Sequence, residues 1–168
     1  MAHRLCSLAI FALAWSIGAT PATARPKLLV FEMEILDTSG EGEAPGHAAR
    51  LSAATRALRD GLAASGRFDL VGPPAPPAGE LPPRIRTCNG CEVDIARRIG
   101  ADLALTSMVH KVSSLILSIT MTVVDAASGR TALVASADIR GDNDRSWVRG
   151  TEWLVRHRLL PARYPGEG

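Results

Sequence analysis

Aromatic residues are scarce in this chain: three Phe, three Trp and one Tyr make up 4% of its 168 positions. The core must therefore be built mainly from Leu, Val and Ile, and any buried Trp or Phe carries an outsized share of apolar area. A dominant sign of charge is also missing. Nineteen Lys and Arg stand against seventeen Asp and Glu, a formal +2, so no global field argues for nucleic acid as a partner. The chain has no phosphate loop, no dinucleotide fingerprint, no His-Glu-x-x-His and no Gly-x-Ser-x-Gly. Their absence removes the local signatures of nucleotide, zinc-protease and α/β-hydrolase chemistry. Nothing positive points to catalysis, a cofactor or a bound metal, so the expectation is a protein that is not an enzyme.

The chain opens on its longest apolar run. His3 and Arg4 precede Leu5 to Ala19, and Thr20-Pro-Ala-Thr-Ala24 places small residues before Arg25. This is the pattern of a cleaved signal peptide, too short to span a bilayer and followed at once by Arg25 and Lys27. Cys6 sits inside the run rather than at its end, which argues against lipoprotein-type cleavage. The expectation is a signal peptide over 1–24 and a single domain over 25–165, exported to an oxidising periplasm with no transmembrane segment after cleavage. Removing the signal leaves Cys88 and Cys91 as the only cysteines and lowers the formal charge by one.

Period-2 alternation predicts a strand over Lys27 to Leu36, with Leu29, Phe31, Met33 and Ile35 on one face and Leu28, Val30, Glu32 and Glu34 on the other. A polar loop, Asp37 to His47, leads to a helix from about Ala48 to Ser65, striped by Leu51, Ala54, Leu58 and Leu62 and capped by Gly66. Phe68 to Val71 is a short strand. Residues 72–83 hold six of the eleven prolines and read as an extended spacer. A short helix over Glu92 to Ile99 precedes strands at Asp102 to Val109, Leu115 to Asp125 and Thr131 to Ile139. Asp142 or Asn143 caps a last helix running to about Leu160, with Trp147, Thr151, Leu154 and Arg158 along one side. The fold class is α/β (α+β), a single mixed sheet of four to five strands with two or three packed helices in the order β-α-β-α-β-β-β-α.

Cys88-Asn-Gly-Cys91 is the sharpest local motif. Asn-Gly turns tightly enough for the sulfurs to meet, and three readings stay open. The pair is a structural clip, or a redox dithiol with Cys91 at a helix N-terminus, or half of a metal site. Glu92 stands where covalent haem attachment needs His. Glu32 and Glu34, roughly 7 Å apart on one strand face, form either an acid–base pair or a solvated edge. Asp37, Glu41, Glu43 and His47 offer calcium-type ligands without EF-hand spacing, which leaves open a small-ligand or metal sensor built on this loop. The polar stretch Asp138 to Trp147 reads in two ways. It is a strand end, turn and helix cap anchored by Trp147, or a binding edge in which Asp138, Arg140, Asp142, Asp144 and Trp147 meet a partner together with His110 and Lys111 of the loop at His110 to Ser114.

Several stretches resemble a family of small secreted proteobacterial proteins known as a domain of unknown function. They are Phe31-Glu-Met-Glu-Ile-Leu-Asp-Thr-Ser39, Thr87-Cys-Asn-Gly-Cys91, Ile99-Gly-Ala-Asp102, Lys111-Val-Ser-Ser-Leu-Ile-Leu117 and Asp138-Ile-Arg-Gly141 with Ser146-Trp147. That resemblance carries no catalytic residues with it. Ser65-Gly-Arg-Phe-Asp-Leu-Val71 and Gly100-Ala-Asp-Leu-Ala-Leu-Thr106 are similar to the N-terminal domain of TolB and to CsgG-like and LpoB-like envelope domains. What those domains imply is a non-catalytic module that binds another cell-envelope protein. On that reading, alanine at Arg140 or Asp142 weakens capture with little change in melting temperature. The alternative is a periplasmic thiol-disulfide redox protein using Cys88 and Cys91.

Overall fold

The computed structural model describes residues 25–42, 44–72 and 84–165. The signal peptide expected over 1–24 and residues 73–83 of the proline-rich spacer expected over 72–83 lie outside them. The strands are β1 (Lys27–Val30), β2 (Glu34–Asp37), β3 (Asp69–Val71), β4 (Leu103–Lys111), β5 (Ile116–Asp125) and β6 (Thr131–Arg140), and the helices are α1 (His47–Ala64), α2 (Cys91–Arg98) and α3 (Asp144–Leu154). The sheet order is β3-β1-β4-β5-β6, with β2 continuing beside β4 past the end of β1. β1 to β4 are mutually parallel, and β4-β5-β6 is an antiparallel meander. The mixed α+β class and the element order match the sequence reading.

Chain direction explains the layering. From β1 the chain crosses to β3 on one side, then passes back over β1 to β4 on the other. Crossovers of one hand in opposite directions put their helices on opposite faces. Accordingly α1 packs with α3 over a large core built on Leu28, Val30, Leu105, Ile119 and Trp147. α2 covers a smaller core of Leu29, Phe31, Ile95 and Ala104 on the other face.

The first predicted strand is two strands, and its faces differ from the simple alternation. Val30 pairs with Leu105 but Glu34 pairs with Met108, so one extra residue is accommodated between them. This bulge moves Met33 to the side of Leu28 and Val30, away from Phe31. Its freed Met33 N–H donates to Thr55 Oγ1 of α1 at 2.9 Å inside the protein, as a buried amide must find a partner. The last helix also departs from its expected stripe. Trp147, Thr151 and Leu154 are buried, but a π-turn over Val155–Leu159 rotates the chain so that Val155 and Leu159 go inside. Arg158 is left exposed, because one extra residue per turn shifts the inward face.

Candidate functional site

Three segments converge at the end of the sheet where β2 and β4 finish. Asp37 and Lys111 are register partners on those strands. Lys111 is 1% exposed, and a charge so buried must be paired. Its Nζ donates to Ser39 Oγ at 2.9 Å and Asp37 Oδ2 at 3.1 Å, and Glu41 Oε2 lies 2.9 Å away. The other oxygen of Glu41 accepts the Ser114 N–H at 3.1 Å, which joins the β2–α1 loop to the β4–β5 hairpin tip. Asp37 Oδ1 also accepts from the Ser39 hydroxyl at 2.6 Å and the Ser39 N–H at 2.9 Å. Those Ser39 bonds, with help from Lys111, hold the Asp37 carboxyl down from 3.8 to about 2. Glu41 is lowered by its bonds from Lys111 and Ser114. Lys111 is raised, chiefly by Glu41 and then by Asp37, against the opposing cost of burial. The Ser39–Lys111 pair therefore does not work as a nucleophile and its base: a lysine kept charged by two carboxylates takes no proton from a serine.

The hairpin tip is locked to the β6–α3 turn. Gly141 N–H donates to Leu115 O at 3.2 Å and Asp142 N–H to Ser114 O at 2.8 Å. Register places His110 opposite Ser118 and Ser118 opposite Asp138, so their side chains share the sheet face away from α3. Ile116 lies opposite Arg140 on that face. Asp138 and Arg140 are exposed, and His110 is half-buried with Nε2 2.9 Å from Thr38 Oγ1. Around them stand three exposed apolar residues: Val112 at 48%, Ile116 at 54% and Leu115 at 70%.

The other sequence-picked residues are placed differently. His110 and Lys111 end β4 rather than lying in a loop. Trp147 is fully buried, stacked on His47 at 5.9 Å between centroids, and offers no surface. Asp142 is nearly buried against His47 and Arg50, whereas Asp144 is exposed and pairs with Arg50 from outside. Asn143 is the helix cap, its side chain accepting the Ser146 N–H at 3.0 Å. The sequence reading places His47 only among loop ligands for an ion and does not single out Arg50, Leu115 or Ile116. One signal was present for the last two, since neighbouring apolar residues at a strand start cannot both face a core.

Cys88 and Cys91 are joined as a disulfide with Cα atoms 5.5 Å apart. The turn between them uses positive φ at Asn89 (54°) and Gly90 (106°), which few residue pairs but Asn-Gly adopt cheaply. Cys91 opens α2, and Glu92 Oε2 lies 3.9 Å from Cys88 Sγ. Among the described residues, Cys88, Cys91 and Glu92 are the one set of three ligand types whose atoms lie within 4.8 Å of one another. Glu32 and Glu34 meet separate arginines, Arg59 at 2.9 Å and Arg86 at 3.3 Å. Asp37 and Glu41 are engaged with Lys111, and Glu43 lies outside the described residues.

Comparison with known proteins places this geometry in a family. The DUF3280 model, described as "Protein of unknown function (DUF2380)", matches residues 26–159. No curated protein sequence matches the chain. The LpoB C-terminal domain from Salmonella enterica is 22% identical over 73% of this chain and 87% of that one, with a TM-score of 0.52. The PelC dodecamer from Paraburkholderia phytofirmans is 17% identical over 83% and 90%, with a TM-score of 0.54. A hypothetical protein from Chlamydia trachomatis is 13% identical over 82% and 95%, with a TM-score of 0.51. At such identities the likeness is one of fold. Among the described residues no helix is long and apolar enough to cross a membrane.

Proposed function

The chain belongs to the DUF3280 family, and on that premise we propose that it is a non-catalytic interaction module of the cell envelope. It is exported to the periplasm and docks another envelope protein. The observation that carries this reading is the apolar end of the sheet. Val112, Leu115 and Ile116 stand exposed together on a hairpin pinned by Glu41 and by the β6–α3 turn. His110, Asp138 and Arg140 supply a polar rim on the same face. An apolar centre with a polar rim on a rigid support is how docking surfaces are built. The resemblance to LpoB-like domains, with the same fold in the LpoB C-terminal domain, supports the choice of partner class.

The test is cross-linking in intact envelopes, with the recovered partner quantified. Leu115→Asp and Ile116→Asp each reduce recovery by about tenfold, as a hot-spot loss does, and leave the melting temperature within a few degrees. Undiminished recovery from both variants overturns the docking surface. A second reading, thiol-disulfide exchange at Cys88 and Cys91, is favoured by one feature: Cys91 lies in the first turn of α2, where the helix dipole stabilises a thiolate.

A further inference from the structure

A cleft of about 590 Å³ opens between the end of β2, the start of α1 and the segment that enters α2. That volume suits a small molecule. Ile35, Ala48 and Leu51 give it an apolar floor, and Arg84, Arg86 and His47 stand in its walls. We propose that this cleft binds a small organic anion, a carboxylate carried on a short apolar body.

The polar groups around the cleft divide into those already partnered and those with spare capacity. Asp37 also lines the cleft, but its oxygens already accept from Ser39 and Lys111. Behind the wall, the Glu34 carboxylate accepts the Ile85 N–H and faces Arg86 Nε at 3.3 Å. Among the described residues, Asp37 is the one acid lining the cleft, and Glu34 faces Arg86 behind it. Arg84 is exposed and has no ion-pair partner among the described residues. His47, 5% exposed, spends Nε2 on Asp142, and with Nε2–H given away its Nδ1 is an acceptor in the neutral ring, so it is not counted among the donors. α1 begins at Gly46 with no side-chain cap and no acid in its first turn, so its open N–H groups add positive potential at the same wall. The spare capacity is dominated by donors, and a guanidinium recognises a carboxylate through a planar pair of them. The apolar floor takes the body of such a ligand, whereas bare phosphate leaves it wet.

The probe is hexanoate, with hexylamine, hexanol and inorganic phosphate as matched controls, followed by amide NMR shifts at Ala48, Leu51 and Arg84. Hexanoate shifts all three signals saturably, and each control binds at least about tenfold more weakly, the loss of one charge-assisted contact or of the apolar body. Arg84→Gln costs hexanoate about tenfold while leaving the melting temperature unchanged, because the side chain is exposed. No saturable shift at millimolar hexanoate overturns the proposal. So does an equal response to any control, or an unchanged affinity in R84Q. The readout needs no envelope partner, so its failure is distinct from failure of the docking surface.

Discussion

Asp142 Oδ2 lies 2.7 Å from His47 Nε2, across 95 residues of sequence. Its other oxygen accepts from Arg50 Nη1 at 3.1 Å, so one carboxylate ties the turn before α3 to the first turns of α1. The side chain of Asp142 is 8% exposed and that of Asp144, also on Arg50, is 84% exposed. Asp142→Ala leaves the buried His47 without its acceptor and Arg50 with Asp144 alone, and is expected to cost about 2–4 kcal/mol. Asp144→Ala is expected to stay within about 0.5 kcal/mol. Equal losses in chemical denaturation would remove Asp142 as the tie. This differs from the sequence expectation for Asp142, because the burial that makes it structural comes from a distant helix.

The Lys111 network sets an acid limit on stability. Asp37 titrates at about 2 in the folded protein against 3.8 ordinarily, so its contribution is complete above about pH 4 and lost as pH falls towards 2. Glu41 is lowered as well and adds loss in the same direction below the ordinary Glu range. Lys111 is raised, so its share holds below its ordinary value and fades only above it. Unfolding curves of Asp37→Asn should be less stable at neutral pH and flatter between pH 4 and 2 than those of the parent. A parent-like acid slope in the variant would refute the assignment.

Glu92 biases the Cys88–Cys91 pair towards the disulfide. A carboxylate 3.9 Å from Cys88 Sγ disfavours a thiolate there and opposes the dipole of α2. The parent potential is expected below about −300 mV, the range of structural disulfides, with Glu92→Gln shifted upward. A parent near −200 mV that reduces insulin would instead place the chain among thiol-disulfide exchange proteins.

Gly150 of α3 packs against Ile139 and Ile119 of the sheet. A Cβ there would lie 2.5 Å from Ile139 Cγ2 and 3.1 Å from Ile119 Cδ1. Alanine in a helix ordinarily gains about 1 kcal/mol over glycine, but overpacking costs about 1–3 kcal/mol, and both neighbours are buried. Gly150→Ala should therefore lower the melting temperature. A rise would show that this packing has slack.

Much of the fold was legible locally. Leu117, Ile119, Met121 and Val123 alternate with Ser118, Thr120 and Thr122 as an antiparallel strand with one covered face requires, and the buried set is the apolar one. The Asn143 cap and the Asn89-Gly90 turn follow from their own side chains and φ preferences. The exposed end of the sheet proposed for docking was only half legible. Asp138, Arg140 and His110 were picked out, but Leu115 and Ile116 looked like ordinary strand residues until register put them beyond the core.

The sequence by itself determined the order of elements, the caps, the turns and the inward face of the longest strands, because each depends on neighbours within a few residues. Only the tertiary structure decided the bulge that hands Met33 N–H to Thr55, the π-turn that buries Leu159, and the burial of Lys111 and Asp142. Those outcomes rest on partners from separate elements, and an unpaired amide or charge is too costly inside a protein to be left where local pattern alone would put it.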